Sequence, residues 1–593
     1  MAAFVKDVPP AAPARGRLPG WADVLAAGLA PGALLGLHLA GLLFYLNPGL
    51  PFRPAPVLRA MAVYGALLGT AGLCLQLPFL WGRPHRARRW LPGGVTVSLA
   101  FAGTLSGAHA SYYAWYLPAA MNDRLLRTSL WLGLAALIFF YTVLLHALHR
   151  RPYGVRSRVG LTLLAVLSLY AMLERRATFL PRAAAAGRPP AVEPKGSPRL
   201  LVVGLDSATL DAVLPLAGEG KLPFFEGILR GGAYGRLESL SPPHRDALWI
   251  TLVSGKLPAG HGVTGTRFSR CNWLAPGAAL ELVPRGIQFG TWGLPGCRLD
   301  NPRVYTRKAL TLWEILPRLG QRAGVLGWPA AAPARDAEFA LSDRFFSGFP
   351  EPHSVWPLDL AERASLFRPS PQELDAAGGR SRFGAGAPAS LLRAAADDTW
   401  RQALAIASMQ EHPEAAAVFV ALPGLREVSR QTFGGFVAVE FEGIREPEAA
   451  RATQRLSTYY KMLDELVAGL WAEGEERSGP RLLVVVSPAG VERRSDGWTR
   501  GGSGRTELRG SLEEASDGMV ALYGEGIRPG ALLTGARLVD LAPTVLYALG
   551  VPVARDLEGQ VITAAFDRSF LASHPLTFLP SYESLAPSRR PSS

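Results

Sequence analysis

The chain has 593 residues, of which 49% are apolar and 19% are charged, and its formal net charge is +14. That apolar fraction excludes a disordered protein, and 3 cysteines are too few for a disulfide-built scaffold. The mean hydropathy of +0.15 is high for a wholly soluble protein. These values indicate membrane-spanning segments, and the length leaves room for further domains.

Residues 1–176 are predicted to form a transmembrane domain. Its five apolar stretches lie at about residues 24–46, 60–81, 95–117, 128–149 and 159–173. Four of them reach the roughly 20 residues that a helix needs to cross a bilayer. The fifth is long enough if its arginine-rich flanks reach back to the membrane surface. The lipid bilayer is therefore the first predicted partner.

The loops between these stretches predict how the chain is oriented in the membrane. Arginines crowd the second and fourth connections, at Arg83, Arg86, Arg88, Arg89, Arg150, Arg151, Arg156 and Arg158. Because positively charged loops stay in the cytoplasm, the N-terminus is predicted to lie there too. An odd number of spans then puts the C-terminal domain outside, although Arg175, Arg176 and Arg182 argue against it. We expect a multi-pass protein of a bacterial-type inner membrane.

The rest of the chain alternates between strand and helix patterns. Residues 177–197 are predicted as a Pro/Ala/Gly linker, 198–567 as an α/β domain and 568–593 as a C-terminal tail. The predicted strands are Leu200–Leu205, Ala323–Gly327, Ala416–Leu422, Leu482–Ser487 and Met519–Tyr523, and the predicted helices include Lys308–Leu319 and Glu448–Leu470. Such alternation predicts a mainly parallel sheet sandwiched by helices, with a site beyond the carboxyl ends of its strands.

Several long motifs follow one another in this domain. They are LLVVGLDSATLDAVLPLAGEGKLPFFEGILRGGAYGRLESL (201–240), ALWITLVSGKLPAGHGV (247–263), ALTLWEILPRLGQRAGVLGWPAAAPA (309–334), LSDRF (341–345), GEGIRPG (524–530) and LVDLAPTVLYALGVPVARDLEGQVI (538–562). In this order they resemble the alkaline phosphatase superfamily, and within it the type I phosphodiesterase / nucleotide pyrophosphatase branch. The resemblance implies an alkaline-phosphatase-like fold. A five-span anchor before such a domain also resembles the lipid A phosphoethanolamine transferases, by architecture alone.

The resemblance also implies a specific chemistry. Two zinc-like ions clamp a phosphoryl group, and one of them activates a Thr or Ser nucleophile. The ions need about six ligands, usually three aspartates and three histidines. The first aspartate is present as Asp206, at the end of the first strand. The nucleophile position, four residues before Trp249, holds Arg245 instead.

The remaining ligand positions are also replaced. They correspond to Arg426, Arg430, Pro488, Ala489 and Leu512. Arginine stays protonated and has no lone pair for a metal, and the apolar residues offer no ligand atom. The residues therefore predict a pseudo-phosphodiesterase that has no metal cofactor, no catalytic residue and a role in ligand binding or as a scaffold.

An alternative is an active phosphodiesterase or phospho-group transferase with a rebuilt zinc site. Its ligands would come from His244 and Asp246, from the run Ser495-Asp496-Gly497, or from Glu513, Glu514 and Asp517. The Ser-Asp-Gly run is more simply an ordinary turn, because it lies well past the end of its strand. A transporter-like role for the membrane part is a third class.

The arginines at the former site leave two interpretations open. Arg245, Arg426 and Arg430 either bind an anionic ligand by forked hydrogen bonds or only neutralise a dead cleft. In both cases we expect a guanidinium within about 4 Å of Asp206, because an unpaired buried carboxylate is costly. A protein partner also remains open, whereas nucleic acid is not expected, because no basic stripe with interleaved aromatics occurs. Cys271 and Cys297 are either disulfide-bonded or two free thiols, and Cys74 is predicted to be free.

Overall fold

The computed structural model divides the chain into two compact units. One contains Met1–Pro181 together with Arg267–Asp300, and the other contains Arg182–Thr266 together with Asn301–Ser593. The structure describes residues 21–81, 87–179, 199–265, 268–284, 296–300, 307–332, 336–346, 354–366, 382–384, 386–437, 446–473, 479–493, 510–512 and 516–583. The predicted linker at 177–197 lies mostly outside these ranges.

Five long helices form most of the first unit, which we call the membrane unit. They are α1 (Trp21–Leu46), α2 (Pro54–Trp81), α3 (Ala87–Tyr112), α4 (Ala119–Leu148) and α5 (Val155–Ala177). Each is long and apolar enough to cross a bilayer, so the five predicted spans are confirmed as helices. The fifth, predicted to be short, has 23 residues because its arginine-rich flanks are helical as well.

Helices α1 and α2 pack closely along a glycine seam. Gly32 of α1 faces the backbone of Leu68, and Gly36 faces the backbone of Tyr64. A Cβ atom at either glycine would overlap the backbone oxygen of its neighbour. Small residues at this spacing let two membrane helices approach each other closely. The face of α1 that carries Gly32 and Gly36 is therefore packed against α2.

A small antiparallel sheet completes the membrane unit, although its sequence lies 90 residues or more beyond α5. Its strands are β3 (Phe268–Arg270), β4 (Ala279–Leu280) and β5 (Arg298–Asp300). Asn47, just after α1, donates to the backbone oxygen of Leu282 at 2.6 Å and accepts from the Glu281 amide at 2.9 Å. The predicted 198–567 domain thus differs from the structure, because this insertion packs with the membrane helices.

A disulfide closes this insertion. Cys271 and Cys297 are bonded, with their Cα atoms 4.5 Å apart, so the bonded alternative holds. Cys271 is buried in an apolar cluster with Phe44 and Leu50 of the helical part. Cys74 is a free thiol, as predicted.

The second unit, which we call the α/β unit, is built on a nine-stranded sheet within the described residues. Its strands are β1 (Arg199–Leu205), β2 (Ala233–Glu238), β6 (Ala323–Leu326), β7 (Phe339–Leu341), β8 (Val355–Trp356), β9 (Ala417–Leu422), β10 (Arg481–Ser487), β13 (Gly518–Gly524) and β14 (Ala531–Arg537), and the short pairs β11 (Glu492–Arg493) with β12 (Gly510–Ser511) and β15 (Val553–Ala554) with β16 (Phe578–Leu579) lie outside it. The order across the sheet is β14-β2-β13-β10-β1-β9-β6-β7-β8. Strand β1 runs parallel to both β9 and β10.

Helices cover both faces of the sheet, so the central strands are continuous apolar runs rather than alternating ones. The helices are α6 (Leu210–Gly218), α7 (Pro223–Gly231), α8 (Arg245–Ser254), α9 (Pro258–His261), α10 (Leu312–Arg318), α11 (Asp343–Phe346), α12 (Asp359–Leu366), α13 (Ala389–Glu411), α14 (Gly424–Val437), α15 (Glu446–Ala472), α16 (Leu541–Ala548) and α17 (Arg568–Ser573). The predicted mainly parallel sheet sandwiched by helices is confirmed. The predicted tail differs, because α17 and β16 continue the unit to residue 583.

Candidate functional site

Asp206 lies directly after β1, at the centre of the carboxyl edge of the sheet. Its side chain is 4% exposed. The next residue, Ser207, has a φ of +77°, a left-handed conformation that non-glycine residues rarely adopt. The Ala208 amide donates to the hydroxyl of Ser487 at the end of β10, at 3.0 Å. The turn after β1 is therefore fixed from the neighbouring strand, and it holds the Asp206 carboxylate in place.

Two arginines contact this carboxylate. Arg245, the first residue of α8, donates from Nε to Oδ2 at 2.7 Å, and its side chain is 22% exposed. Arg426, in the first turn of α14 after β9, places Nη1 3.5 Å from Oδ1 and is 37% exposed. The prediction of a guanidinium within about 4 Å of Asp206 is confirmed, with Arg245 as the closer partner.

The folded chain brings six of the seven predicted positions around one small cavity. They are Asp206, Arg245, Arg426, Pro488, Ala489 and Leu512. The cavity has a volume of about 10 Å³, which is close to the minimum for a single water molecule. These side chains therefore leave room for about one water molecule between them.

Arg430 is the exception, and its predicted convergence with the other two arginines is wrong. Its guanidinium donates to both carboxylate oxygens of Glu427, at 3.1 and 2.8 Å. The side chain is 49% exposed and does not line the cavity. Arg430 lies one helical turn beyond Arg426, farther from the strand end, where Glu427 is the nearer carboxylate.

The electrostatic environment around Asp206 is dominated by these arginines. Burial alone would raise the pKa of Asp206, but the charges of Arg426 and Arg245 outweigh burial and hold that pKa below its ordinary value. Burial raises the pKa of Asp246 from 3.8 to about 6, and it also raises the pKa of Asp343. Asp206 is therefore the carboxylate of this cluster whose charged form the arginines stabilise most.

Asp343 is a member of this cluster that the sequence interpretation missed. Its carboxylate lies 3.8 Å from Nη1 of Arg245. It belongs to the segment LSDRF directly after β7, so it also lies at the carboxyl edge of the sheet. An acidic residue right after a buried strand is a signal that would have found it.

These residues do not fit the pair of zinc-like ions that the family implies. The one carboxylate at a ligand position is occupied by a guanidinium, and Pro488, Ala489 and Leu512 have no ligand atoms. Of the proposed replacement ligands, His244 directs Nδ1 at the Thr264 carbonyl, 2.5 Å away, and Asp517 accepts from the Ser239 amide at 3.2 Å. Ser495, Asp496, Gly497, Glu513 and Glu514 lie outside the described residues.

One other group of metal-type ligands occurs in the described part of the chain. Glu338, His412 and Glu414 bring their ligand atoms within 4.8 Å of one another. They precede β7 and β9, at the amino edge of the sheet and opposite Asp206. Arg322 lies 3.6 and 3.3 Å from the two glutamates and offsets one of their two negative charges. This group is therefore unrelated to the family's catalytic position.

The fold is that of an α/β protein whose charged cluster lies at the carboxyl edge of a mainly parallel sheet. A sequence model for type I phosphodiesterase / nucleotide pyrophosphatase matches residues 200–497. Because the match spans half of the chain, the protein belongs to that family. A comparison with curated protein sequences found no match.

Solved structures are similar to the chain at low sequence identity. Phosphonoacetate hydrolase from Sinorhizobium meliloti is 15% identical, covers 50% of this chain and 58% of its own, and has a TM-score of 0.31. This chain therefore spans little more than half of that relative. Murine ectonucleotide pyrophosphatase / phosphodiesterase 5 is 12% identical. The match covers 60% of this chain and 95% of the murine chain, with a TM-score of 0.35. A mutant of the alkaline phosphatase PafA is 12% identical. The match covers 63% of this chain and 99% of the PafA chain, with a TM-score of 0.38.

Proposed function

We propose that the chain is a membrane-anchored, catalytically inactive member of its family, and that it acts by binding rather than by hydrolysis. The observation that carries the proposal is the contact between Arg245 and Asp206 at 2.7 Å. Arg245 puts a permanent positive charge at the position where the family has its nucleophile. The same guanidinium contacts Asp206, which corresponds to the family's first metal ligand. A guanidinium offers neither a nucleophile nor a ligand atom, so both functions are lost together.

The size of the cavity favours a neutralising role for the arginines over phosphate binding inside the cleft. A volume of about 10 Å³ accommodates one water and not a tetrahedral phosphate. An anionic ligand would have to contact the outer part of Arg426, which is 37% exposed. A protein partner that uses this face, with the domain as a scaffold, fits the same geometry.

Metal content and diester turnover test the proposal directly. The full chain, purified in detergent and dialysed, should contain no stoichiometric zinc, manganese or calcium, and it should not cleave bis-nitrophenyl phosphate. The reason is that several kcal/mol of transition-state stabilisation are missing without metal and nucleophile. Two retained ions per chain would refute the proposal. Metal-dependent turnover that Asp206→Ala abolishes would instead establish an active enzyme with a rebuilt site.

We also propose that the α/β unit lies outside the cytoplasm of a bacterial-type inner membrane. The arginine-rich second and fourth connections support this orientation. The bond between Cys271 and Cys297 supports it independently, since disulfides persist in oxidising compartments. Cells lysed in acid and alkylated at once should yield the linked Cys271–Cys297 peptide, with Cys74 alkylated as the internal control. Alkylation of all three cysteines would contradict the orientation.

A further inference from the structure

The membrane unit contains a large cavity that nothing described so far explains. It has a volume of about 710 Å³ and lies between α1, α3, α4 and α5. We call it the membrane slot. Its walls are mostly apolar and include Leu37 of α1, Val95 of α3, Phe139 of α4 and Leu161 of α5. The volume falls in the range of about 300–1,000 Å³ that is typical of small-molecule sites.

The slot lies where α5 is least deeply buried: its fully buried residues are in its second half, whereas Leu161, Leu164 and Ala165 of its first half pack on the bundle only partly buried. The buried residues of α5 are Ser168, Met172 and Arg176. The first half of the helix contributes partly exposed slot walls such as Leu161 and Ala165. The glycine seam keeps one face of α1 on α2, so α1 is not free to close the gap. An apolar gap at membrane depth favours hydrocarbon as its occupant, since water gains nothing from such walls.

The dimensions of the slot suit a chain-shaped ligand. On α1 its lining runs from Asp23 to Leu37. At 1.5 Å per residue this corresponds to about 21 Å along the helix. That length is about two thirds of the roughly 30 Å hydrocarbon core of a bilayer. A single acyl chain that enters from one leaflet has this elongated shape, whereas a compact ligand would fill only part of the slot.

One end of the slot is polar, and its lining carries one carboxylate and one guanidinium. Asp23, Tyr153 and Arg158 line it. Arg158 lies in the first turn of α5, where the helix N-terminus adds a partial positive charge. Arg156 is in the same turn, and Arg150 and Arg151 precede it in the connection. These four arginines outnumber the single carboxylate of Asp23, so a phosphate bound beside Arg158 would meet a net positive charge at the depth of the lipid headgroups.

We propose that the membrane slot binds one phospholipid, with an acyl chain along α5 and its phosphate beside Arg158. The inference is independent of whether the α/β unit is catalytic. The full chain purified in mild detergent should therefore retain about one phospholipid per chain in native mass spectrometry. Ala30→Phe, which fills the slot from α1, should reduce the retained lipid severalfold. Ala147→Phe, the same change at an exposed alanine of α4 outside the slot, should leave the lipid in place.

A second pair of variants tests the headgroup without altering the packing. After delipidation, Arg158→Gln should weaken rebinding of phosphatidylglycerol about fivefold, as expected for one arginine near a membrane surface. Arg156→Gln removes a charge from the same turn but not from the slot, so its effect should be smaller. Diacylglycerol, which has the chains without the phosphate, should bind the wild type and Arg158→Gln equally.

Three outcomes would overturn the proposal. The first is a wild-type chain that retains no phospholipid in mild detergent. The second is equal retention in Ala30→Phe and Ala147→Phe. The third is a lipid-free dimer that Ala30→Phe converts to a monomer, because a second copy of the chain would then be what covers the slot.

Discussion

The cavity beside Asp206 and the membrane slot differ in polarity and in volume. The site is polar, and Arg245, Pro488, Ala489 and Leu512 leave it only about 10 Å³. The slot is mostly apolar and keeps about 710 Å³. Beside Asp206, side chains of the protein occupy most of the space. Between the membrane helices, the space is open to molecules of the bilayer.

The difference follows from what the surroundings can supply. A buried carboxylate without a metal must be paired from within the protein, since an unpaired buried charge costs several kcal/mol. An apolar gap inside a bilayer is filled by hydrocarbon at little cost, because lipid tails are as apolar as the helix side chains. The buried carboxylate therefore needs a cationic partner from within the chain, whereas an open slot between helices needs none.

Reopening the filled site should have the largest effect. Arg245→Met removes the partner of Asp206 at 2.7 Å and leaves the carboxylate buried. We expect a loss of about 3–5 kcal/mol in the free energy of unfolding of the α/β unit. The value should fall near the lower limit, because Arg426 remains 3.5 Å from the carboxylate. Denaturant titration monitored by the fluorescence of the buried Trp249, Trp313 and Trp328 measures it.

The double variant Asp206→Asn/Arg245→Met serves as the control for that change. It removes both charges and leaves no orphan, so it should be less destabilised than Arg245→Met alone. A double variant that is as unstable as the sum of the two single variants would mean that the pair is not coupled. The comparison with the slot would then lose its electrostatic basis.

The glycine seam tests why the slot stays open. Gly32→Ala places a Cβ where the Leu68 backbone oxygen lies, so α1 and α2 must separate. We expect about 3 kcal/mol of destabilisation, at the upper end for overpacking. Gly160→Ala makes the same substitution in α5, where nothing lies within 4 Å, and should stabilise slightly through helix propensity. Thermal unfolding in detergent compares them, and equal melting temperatures would contradict a close-packed seam.

The smallest effect is expected at Asp246, where the nearby arginines lower the pKa by less than burial raises it. The pKa of Asp246 is raised by burial to about 6. Below about pH 4 the group is protonated in both folded and unfolded chains and costs nothing, whereas above pH 6 the folded state bears the full penalty. Asp246→Asn should therefore stabilise by roughly 1–3 kcal/mol above pH 6, and the gain should vanish towards pH 4.

A matched variant separates this gain from helix-end effects. Asp359→Asn makes the same substitution at an exposed aspartate in the first turn of α12. It reports what the loss of a negative charge at a helix N-terminus costs. If Asp246→Asn does not exceed this control at pH 8, burial is not what raises the pKa of Asp246.

Much of the α/β unit could be predicted from the sequence because its signals are local. The run at Leu482–Ser487 is continuous and apolar, as expected for a strand covered on both faces, and the strand forms at Arg481–Ser487. The motif spacing then placed Asp206, Arg245, Ala489 and Leu512 around one point. Arg430 was misplaced because spacing along a helix does not show which carboxylate, Asp206 or Glu427, is nearer.

The remaining features depend on contacts between distant parts of the chain. Nothing local indicates that Asn47 holds the backbone at Leu282, which assigns the insertion to the membrane unit. The slot is harder still to predict, since it arises where the first half of α5 packs on the bundle only partly buried. The apolar residues of its first half look the same whether they face a helix or a lipid.

The insertion also sets an order of events during synthesis. The membrane unit lacks β5 until Asp300 is made, about 120 residues after α5 ends at Ala177. At the usual rate of translation this takes roughly 6–25 s. Until Cys271 and Leu280 have been made, Phe44 and Leu50 lack these partners in their apolar cluster. The first strands of the α/β unit are synthesised before then. The membrane helices are thus made first but finished late, and a premature stop before residue 300 leaves both units incomplete.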